Sequence, residues 1–247
     1  MPSREIVACL GSSSTAGKGQ AFDCVGELAR RPCNARFDFR NFGVGGDLAY
    51  NAIQRLDTVL AISPDRVIVW VGGNDALAMV SVKARRLFQV MKSIPRLPSE
   101  VWFEDCLRTL ARRLKAGRAR VALCSLAPMG EAPKSVHPFQ SRLNSAIRDL
   151  SAIAKRVAGE EHCAYVPIFE AIQVALQSEP GPEFTNFRLL PFYRDAFRTL
   201  VLRTPIDQVA RLNGWHFHSD GIHLNERGGL IAAELIQSYL NEVPSDV

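Results

Sequence analysis

The feature that most constrains this chain is an alternation. Five short apolar runs read as strands: Ile6–Leu10, Ala35–Phe42, Arg66–Val71, Ala119–Ser125 and Cys163–Ile168. Between them lie stretches whose apolar residues recur every three or four positions, the period of a helix with one buried face. Trp102, Phe103, Cys106, Leu107, Leu110 and Leu114 mark one such face, and Phe139, Leu143, Ile147, Leu150 and Val157 another. A last helix is predicted from about Glu226 to Tyr239, with Asn225 placed to cap it. Strands that alternate with helices imply a parallel sheet covered on both faces. In such α/β folds ligands gather outside the carboxyl ends of the strands.

Bulk properties narrow the functional classes. With 247 residues and no repeat, low-complexity tract or linker, residues 1–247 read as a single α/β domain. No apolar run approaches the ~20 residues needed to cross a bilayer. The segment MPSREIVACL is too short in apolar residues for a secretory signal, so a cytoplasmic location is expected. Cysteines 9, 24, 33, 106, 124 and 163 show no zinc-like spacing and are expected to be free thiols rather than disulfides. The net charge of +5 is modest, and the densest basic stretch, Arg112–Arg120, falls at a predicted helix end, where cations complement the helix dipole. Aromatic interleaving and known motifs for nucleic acid are missing, so no nucleic acid partner is expected. One region breaks the rhythm: 176–214 is too long for a simple connection and reads as an elaboration of the domain.

Leu10-Gly-Ser-Ser-Ser-Thr-Ala-Gly-Lys-Gly follows the first strand and admits two readings. A phosphate-binding loop needs four residues between its first Gly and the Gly-Lys, followed by Ser or Thr. Gly11 to Gly17 encloses five, and Lys18 is followed by Gly19. The alternative is a nucleophilic serine on a strand-to-helix turn, which requires a base, a group to orient it, and oxyanion donors. Ser219-Asp-Gly-Ile-His223 supplies a histidine with a carboxylate three residues earlier on a tight turn. Asn41-Phe-Gly-Val-Gly-Gly-Asp47 and Gly72-Gly-Asn-Asp75 follow the second and third strands. A glycine of the first can present its backbone N–H closely, and Asn74 can aim a side-chain amide. Ser13, Gly46 and Asn74 therefore fall just past the carboxyl ends of three strands.

These residues resemble the blocks of the SGNH, or GDSL-type, hydrolases. GSSST is similar to their GDSxT block with Ser13 as nucleophile, VGGD places Gly46 in the second block, and GGND places Asn74 in the third. DGIHLNERG matches the last, with Asp220 and His223. The four blocks run in order from residue 10 to 230. The resemblance implies a three-layer α/β/α fold on a flavodoxin-like five-stranded parallel sheet, and ester hydrolysis without metal or cofactor. It implies catalytic roles for Ser13, His223 and Asp220, and an oxyanion hole formed by Ser13, Gly46 and Asn74, with the adjacent Gly45 as the alternative to Gly46. One departure stands out: the family's usual Asp before the nucleophile is Ser12, which can still hydrogen-bond backbone amides but carries no charge.

The substrate is less defined. His137, between Pro133 and Pro138 after the fourth strand, faces the same end of the sheet and is a candidate substrate contact, as are Phe192 and Tyr193 of the elaboration. His216 and His218 flank Phe217 on the approach to the site, where turn packing explains them equally. The elaboration mixes Phe184, Phe187, Phe197 and Leu200 with Arg188, Arg194, Arg198 and Arg203. An apolar wall or lid suits an acyl chain and the arginines an anionic head group or membrane surface; a packed helix or a homo-oligomer contact fits equally. A small-molecule ester, lipid-like or of short acyl chain, is the expected substrate. The alternatives are a carbohydrate O-acetylesterase of the same fold, a non-catalytic binding protein and a nucleotide-binding α/β protein.

Overall fold

All five apolar runs form strands of one sheet: β1 (Glu5–Gly11), β2 (Phe37–Gly43), β3 (Arg66–Trp70), β4 (Arg120–Cys124) and β5 (Ala164–Val166). They are seen in a computed structural model that describes residues 4–19, 21–187 and 189–242, with 189–193 and 196 described by their backbone alone. The strand order is β2-β1-β3-β4-β5 and every pairing is parallel. The alternation implies the parallel pairing, and the order is the flavodoxin-like one that the family resemblance implies.

The register positions the site. Gly11 at the end of β1 lies opposite both Gly43 of β2 and Trp70 of β3. The three carboxyl ends are level, so the turns that leave them emerge side by side.

The three helices read from the sequence, over 102–114, 139–157 and 226–239, are all formed, among others. The chain leaves β1 through α1 (Ser13–Ala16) and α2 (Cys24–Arg30). After β2 come α3 (Ala49–Gln54) and α4 (Leu56–Leu60), and after β3 come α5 (Gly73–Val80), α6 (Val82–Lys92) and α7 (Glu100–Ala116). Helix α8 (Pro138–Glu160) follows β4, and α9 (Ile168–Ser178), α10 (Leu189–Leu200), α11 (Ile206–Asn213) and α12 (Glu226–Asn241) follow β5. Side-chain alternation along the strands divides the apolar residues into two cores. Val7, Cys9, Ile68, Trp70, Ala122 and Cys124 face α2, α9 and α12. Their neighbours Ala8, Leu10, Val67, Val69, Val121 and Leu123 pack with α3, α7 and α8 on the opposite face. Central strands buried on both faces explain the nearly continuous apolar runs. At the edge, β2 carries the exposed pair Asp38 and Arg40, charges that discourage further strand pairing.

The six cysteines are free; Cys9, Cys24, Cys106 and Cys124 are buried, whereas Cys33 is exposed. The basic run at the end of α7 is partly neutralised, with Arg112 2.8 Å from Glu161. The elaboration contains α10 and α11, joined through buried Asp195, which accepts from Arg198 at 3.0 Å and from Asn213 at 2.8 Å. Arg194 is also bound to Asp195. Two of the arginines expected to face an anionic head group are thus used inside the elaboration. Among the described residues no helix is long and apolar enough to cross a membrane.

Candidate active site

Helix α1 is only four residues long and begins immediately after β1, so Ser13 sits at the first position of a helix at the sheet's carboxyl edge. The helix is pressed against the end of β2. A Cβ on Gly43 would lie 2.1 Å from the backbone nitrogen of Ala16, so only glycine allows this approach. Ser12 is the N-cap residue, buried, and makes no side-chain capping bond. The amide contacts expected of a serine in this place are therefore not made at the helix start.

Across from Ser13, the loop between α11 and α12 presents His223. Its Nε2 lies 3.0 Å from Ser13 Oγ, and its Nδ1 lies 2.8 Å from Asp220 Oδ2. Because Nδ1–H donates to a carboxylate, Nε2 is left to accept the Ser13 hydroxyl proton. Asp220 is fixed by its second oxygen, which accepts the N–H groups of Ile222 at 2.9 Å and His223 at 2.8 Å. Burial alone would push the Asp220 carboxyl up, but the His223 ring and these two N–H groups outweigh it and hold the group below its ordinary value. For His223 burial pushes the imidazole down, and the adjacent Asp220 charge reverses this and holds it above its ordinary value.

The turns after β2 and β3 complete the arrangement. Gly46 has φ +78°, a conformation natural to glycine, and both it and Gly45 line the same cavity as Ser13, Asn74 and His223. Asn74 is buried and donates one amide hydrogen to the Asp47 carbonyl at 2.8 Å, leaving the second for the cavity. Asp47 is itself clamped by Arg55 at 2.7 Å and Lys92 at 2.9 Å. Four turns distant in sequence thus converge on one point, as the strand ends require.

The remaining predicted contacts are placed differently. His137 caps α8, its Nδ1 accepting from Phe139 N–H at 3.3 Å, and it is not among the residues lining the cavity. Helix capping is a local function, and it turns the ring back on its own chain. The side chains of Phe192 and Tyr193 lie outside the described residues. Among the described residues of the elaboration, Phe187 lines the cavity.

Two groups of residues are not evident from the sequence pattern. The first is α6, whose Leu87, Phe88, Met91 and Lys92 form one wall of a cavity of about 240 Å³ that Leu77, Phe187 and Ile222 also line. The second is Glu131, in the loop after β4. Fully buried, it accepts N–H bonds from His216 at 2.8 Å, Phe217 at 2.6 Å and His218 at 2.9 Å. The His218 ring spans Glu131 at 2.9 Å and the Pro128 carbonyl at 2.8 Å. Although burial works against it, this partner and the N–H groups hold the Glu131 carboxyl below its ordinary value. Asn225 completes the loop by accepting from Gly228 N–H at 3.1 Å and donating to the His216 carbonyl at 3.0 Å. The loop that carries Asp220 and His223 is thereby tied to β4 on one side and α12 on the other. Among the described residues no cluster of His, Cys, Asp or Glu has the arrangement of a metal site.

The chain shares its fold with solved esterase structures. It is similar to a lipase/acylhydrolase from Enterococcus faecalis, with 18% identity over 96% of this chain and 95% of that one and a TM-score of 0.62. It also resembles the acetyl xylan esterase AlAXEase, with 18% identity over 95% of this chain and 99% of that one and a TM-score of 0.60. A catalytic mutant of Axe2, an acetylxylan esterase from Geobacillus stearothermophilus, aligns at 16% identity over 98% and 97% of the two chains, with a TM-score of 0.65. No curated protein sequence matches the chain. Residues 9–229 match the GDSL-like Lipase/Acylhydrolase family, a span that holds Ser13, Gly46, Asn74, Asp220 and His223 alike. With that match running through every turn of the site, the chain is an SGNH-type ester hydrolase and belongs to the GDSL-like lipase/acylhydrolase family.

Proposed function

We propose that the chain cleaves carboxylic esters through an acyl-enzyme on Ser13. One observation carries the reading: His223 stands between Ser13 Oγ and Asp220 within a cavity that Gly46 and Asn74 also line. Ser13 Oγ attacks the ester carbonyl as its proton passes to His223 Nε2, while Asp220 holds the ring's tautomer and stabilises the imidazolium. The N–H groups of Ser13 and Gly46 and the Asn74 amide donate to the oxyanion. Collapse of the tetrahedral adduct expels the alcohol, which takes the proton from Nε2. Water then attacks the acyl-enzyme, again losing its proton to His223, and releases the carboxylic acid with Ser13 restored.

The cavity favours an acyl chain of several carbons. Its volume of about 240 Å³ exceeds the roughly 150 Å³ that accommodates a benzene ring. Leu77, Leu87, Phe88, Met91 and Phe187 give it an apolar lining that gains from contact with methylenes, at about 0.8 kcal/mol per buried CH₂. An acetyl group would leave much of this space unfilled. The fold shared with AlAXEase and Axe2, both acetylxylan esterases by name, supports a carbohydrate O-acetylesterase as the second reading. A fluorophosphonate probe tests the chemistry: an adduct on Ser13 and loss of esterase activity in Ser13→Ala are expected, and activity retained in that variant refutes the mechanism. Turnover of p-nitrophenyl acetate against the hexanoate tests the substrate, with a higher kcat/KM for hexanoate expected and a steep preference for acetate favouring the second reading.

A further inference from the structure

The wall of the cavity formed by α6 has an outer face, and its composition is unusual. From Ala76 to Ser99 the chain holds five basic residues, Lys83, Arg85, Arg86, Lys92 and Arg96, and no Asp or Glu. The formal net charge of the whole chain is +5, so outside this segment the charges balance. Ala84 and Phe88 turn inward and are buried, while Val82, Arg86 and Val90 recur every fourth residue along the exposed side, with Lys83 beside them. Val90 is 83% exposed, and Leu97 just beyond the helix is 57% exposed. Met91 is 62% exposed and also lines the cavity, which places this surface at its mouth. Lys92 is used by Asp47, and Arg96 by Asp105 and the face of Trp102. Lys83, Arg85 and Arg86 make no ion pair among the described residues.

We propose that this face docks the enzyme on an anionic lipid surface, bringing the mouth of the cavity to the interface. Cations without carboxylate partners, interspersed with exposed Val82, Val90, Met91 and Leu97, complement a layer of anionic head groups over hydrocarbon. A soluble polyanion would use the charges and leave the apolar side chains in water. The elaboration also exposes apolar residues, among them Phe197 and Leu200, but Arg194 and Arg198 beside them are bound to Asp195.

Co-sedimentation of the full chain with vesicles tests this, comparing pure phosphatidylcholine with a 7:3 mixture of phosphatidylcholine and phosphatidylglycerol. Binding is read without turnover, so its failure leaves the chemistry at Ser13 unaffected. The wild-type chain is expected on the anionic vesicles and not on the neutral ones. At about 1 kcal/mol per basic residue near the surface, Lys83→Glu with Arg86→Glu weakens the partition by roughly thirtyfold or more. Val90→Asp weakens it as well, and all three substitutions leave hydrolysis of a soluble ester unchanged, which also reports that the variants fold. Equal binding to both vesicle types, undiminished binding by the double variant, or a loss seen only in Phe197→Asp with Leu200→Asp overturns the proposal. Val90→Asp binding as well as wild type while free heparin competes fully also overturns it, because the surface would then be a general polyanion site.

Discussion

Asp220→Asn isolates what the carboxylate contributes to His223. The asparagine side chain is the same size and its oxygen still accepts the Ile222 and His223 N–H groups, so the loop keeps its local bonds. The atom facing Nδ1 becomes an NH₂ group. Nδ1 must then accept, the ring proton moves to Nε2, and Nε2 no longer takes the proton from Ser13. The charge is lost as well. With 2.8 Å between Nδ1 and Oδ2, the centres of carboxylate and imidazolium are about 4 Å apart, and at an effective dielectric of 20 their attraction is about 4 kcal/mol. Losing it in the transition state lowers kcat/KM by about three powers of ten. The pH profile supplies a second reading. In the proposed mechanism acylation needs neutral His223, so kcat/KM is expected to rise with pH through a midpoint that Asp220 holds above the ordinary 6.5. In Asp220→Asn the burial remains while the charge is gone, and the midpoint of the residual activity moves below that of the wild type. Initial rates on a soluble p-nitrophenyl ester from pH 4.5 to 9 measure both quantities. A loss of less than about tenfold with an unmoved midpoint would refute the argument, and orientation of His223 would have to come from elsewhere.

Three further outcomes are expected. Asn74→Ala removes one of the proposed oxyanion donors and is expected to lower kcat by on the order of 10²–10³ with little change in KM, measured on the same ester. Glu131→Gln sets an NH₂ group among donors that now all face a carboxylate; breaking this buried pair costs about 3 kcal/mol, seen as a Tm lower by roughly 10 °C, with a parallel fall in kcat. Asp75 is buried, and its carboxyl is pushed up to about 7 despite accepting the Ala49 N–H. Between about pH 4 and pH 7 the folded chain keeps a proton there that the unfolded chain has released, so its contribution to stability falls as pH rises, by up to about 1.4 kcal/mol per unit. Asp75→Asn removes that slope, so its Tm relative to wild type should rise from pH 5 to pH 8; a constant difference contradicts the assignment.

What the sequence revealed was local, and what it hid depends on packing. The central strands β1, β3 and β4 were legible because such strands of a parallel sheet are buried on both sides and need apolar residues at nearly every position, as in Arg66–Trp70. The turns after β1, β2 and β3 were legible because each needs small or amide-bearing residues in a fixed order, and Asp220 and His223 because they share one short loop. Helix α6 was not. Leu87, Phe88 and Met91 have the spacing of any amphipathic helix, and nothing local distinguishes a face over a cavity from one over a core. Glu131 was hidden for the same reason: its partners at 216–218 lie some 85 residues away, and an acid in a loop rich in proline and glycine suggests solvent. His137 shows how local capping escapes a sequence reading. It leaves the expected end of the sheet, yet its ring caps the start of α8 and is not among the residues that line the cavity.

The single amide of Asn74, bonded to the Asp47 carbonyl, makes the turns after β2 and β3 one mechanical piece. The Asp47 carboxylate extends that piece to α3's neighbour Arg55 and to Lys92 at the end of α6. Anyone grafting loops between relatives to alter chain-length preference would therefore be exchanging parts that do not come apart separately. A new segment in place of α6 must bring its own counter-charge for Asp47, or the donor geometry around Ser13 changes along with the pocket. The unit of exchange in this enzyme is the set of turns with their wall helix, and specificity and rate would be inherited together.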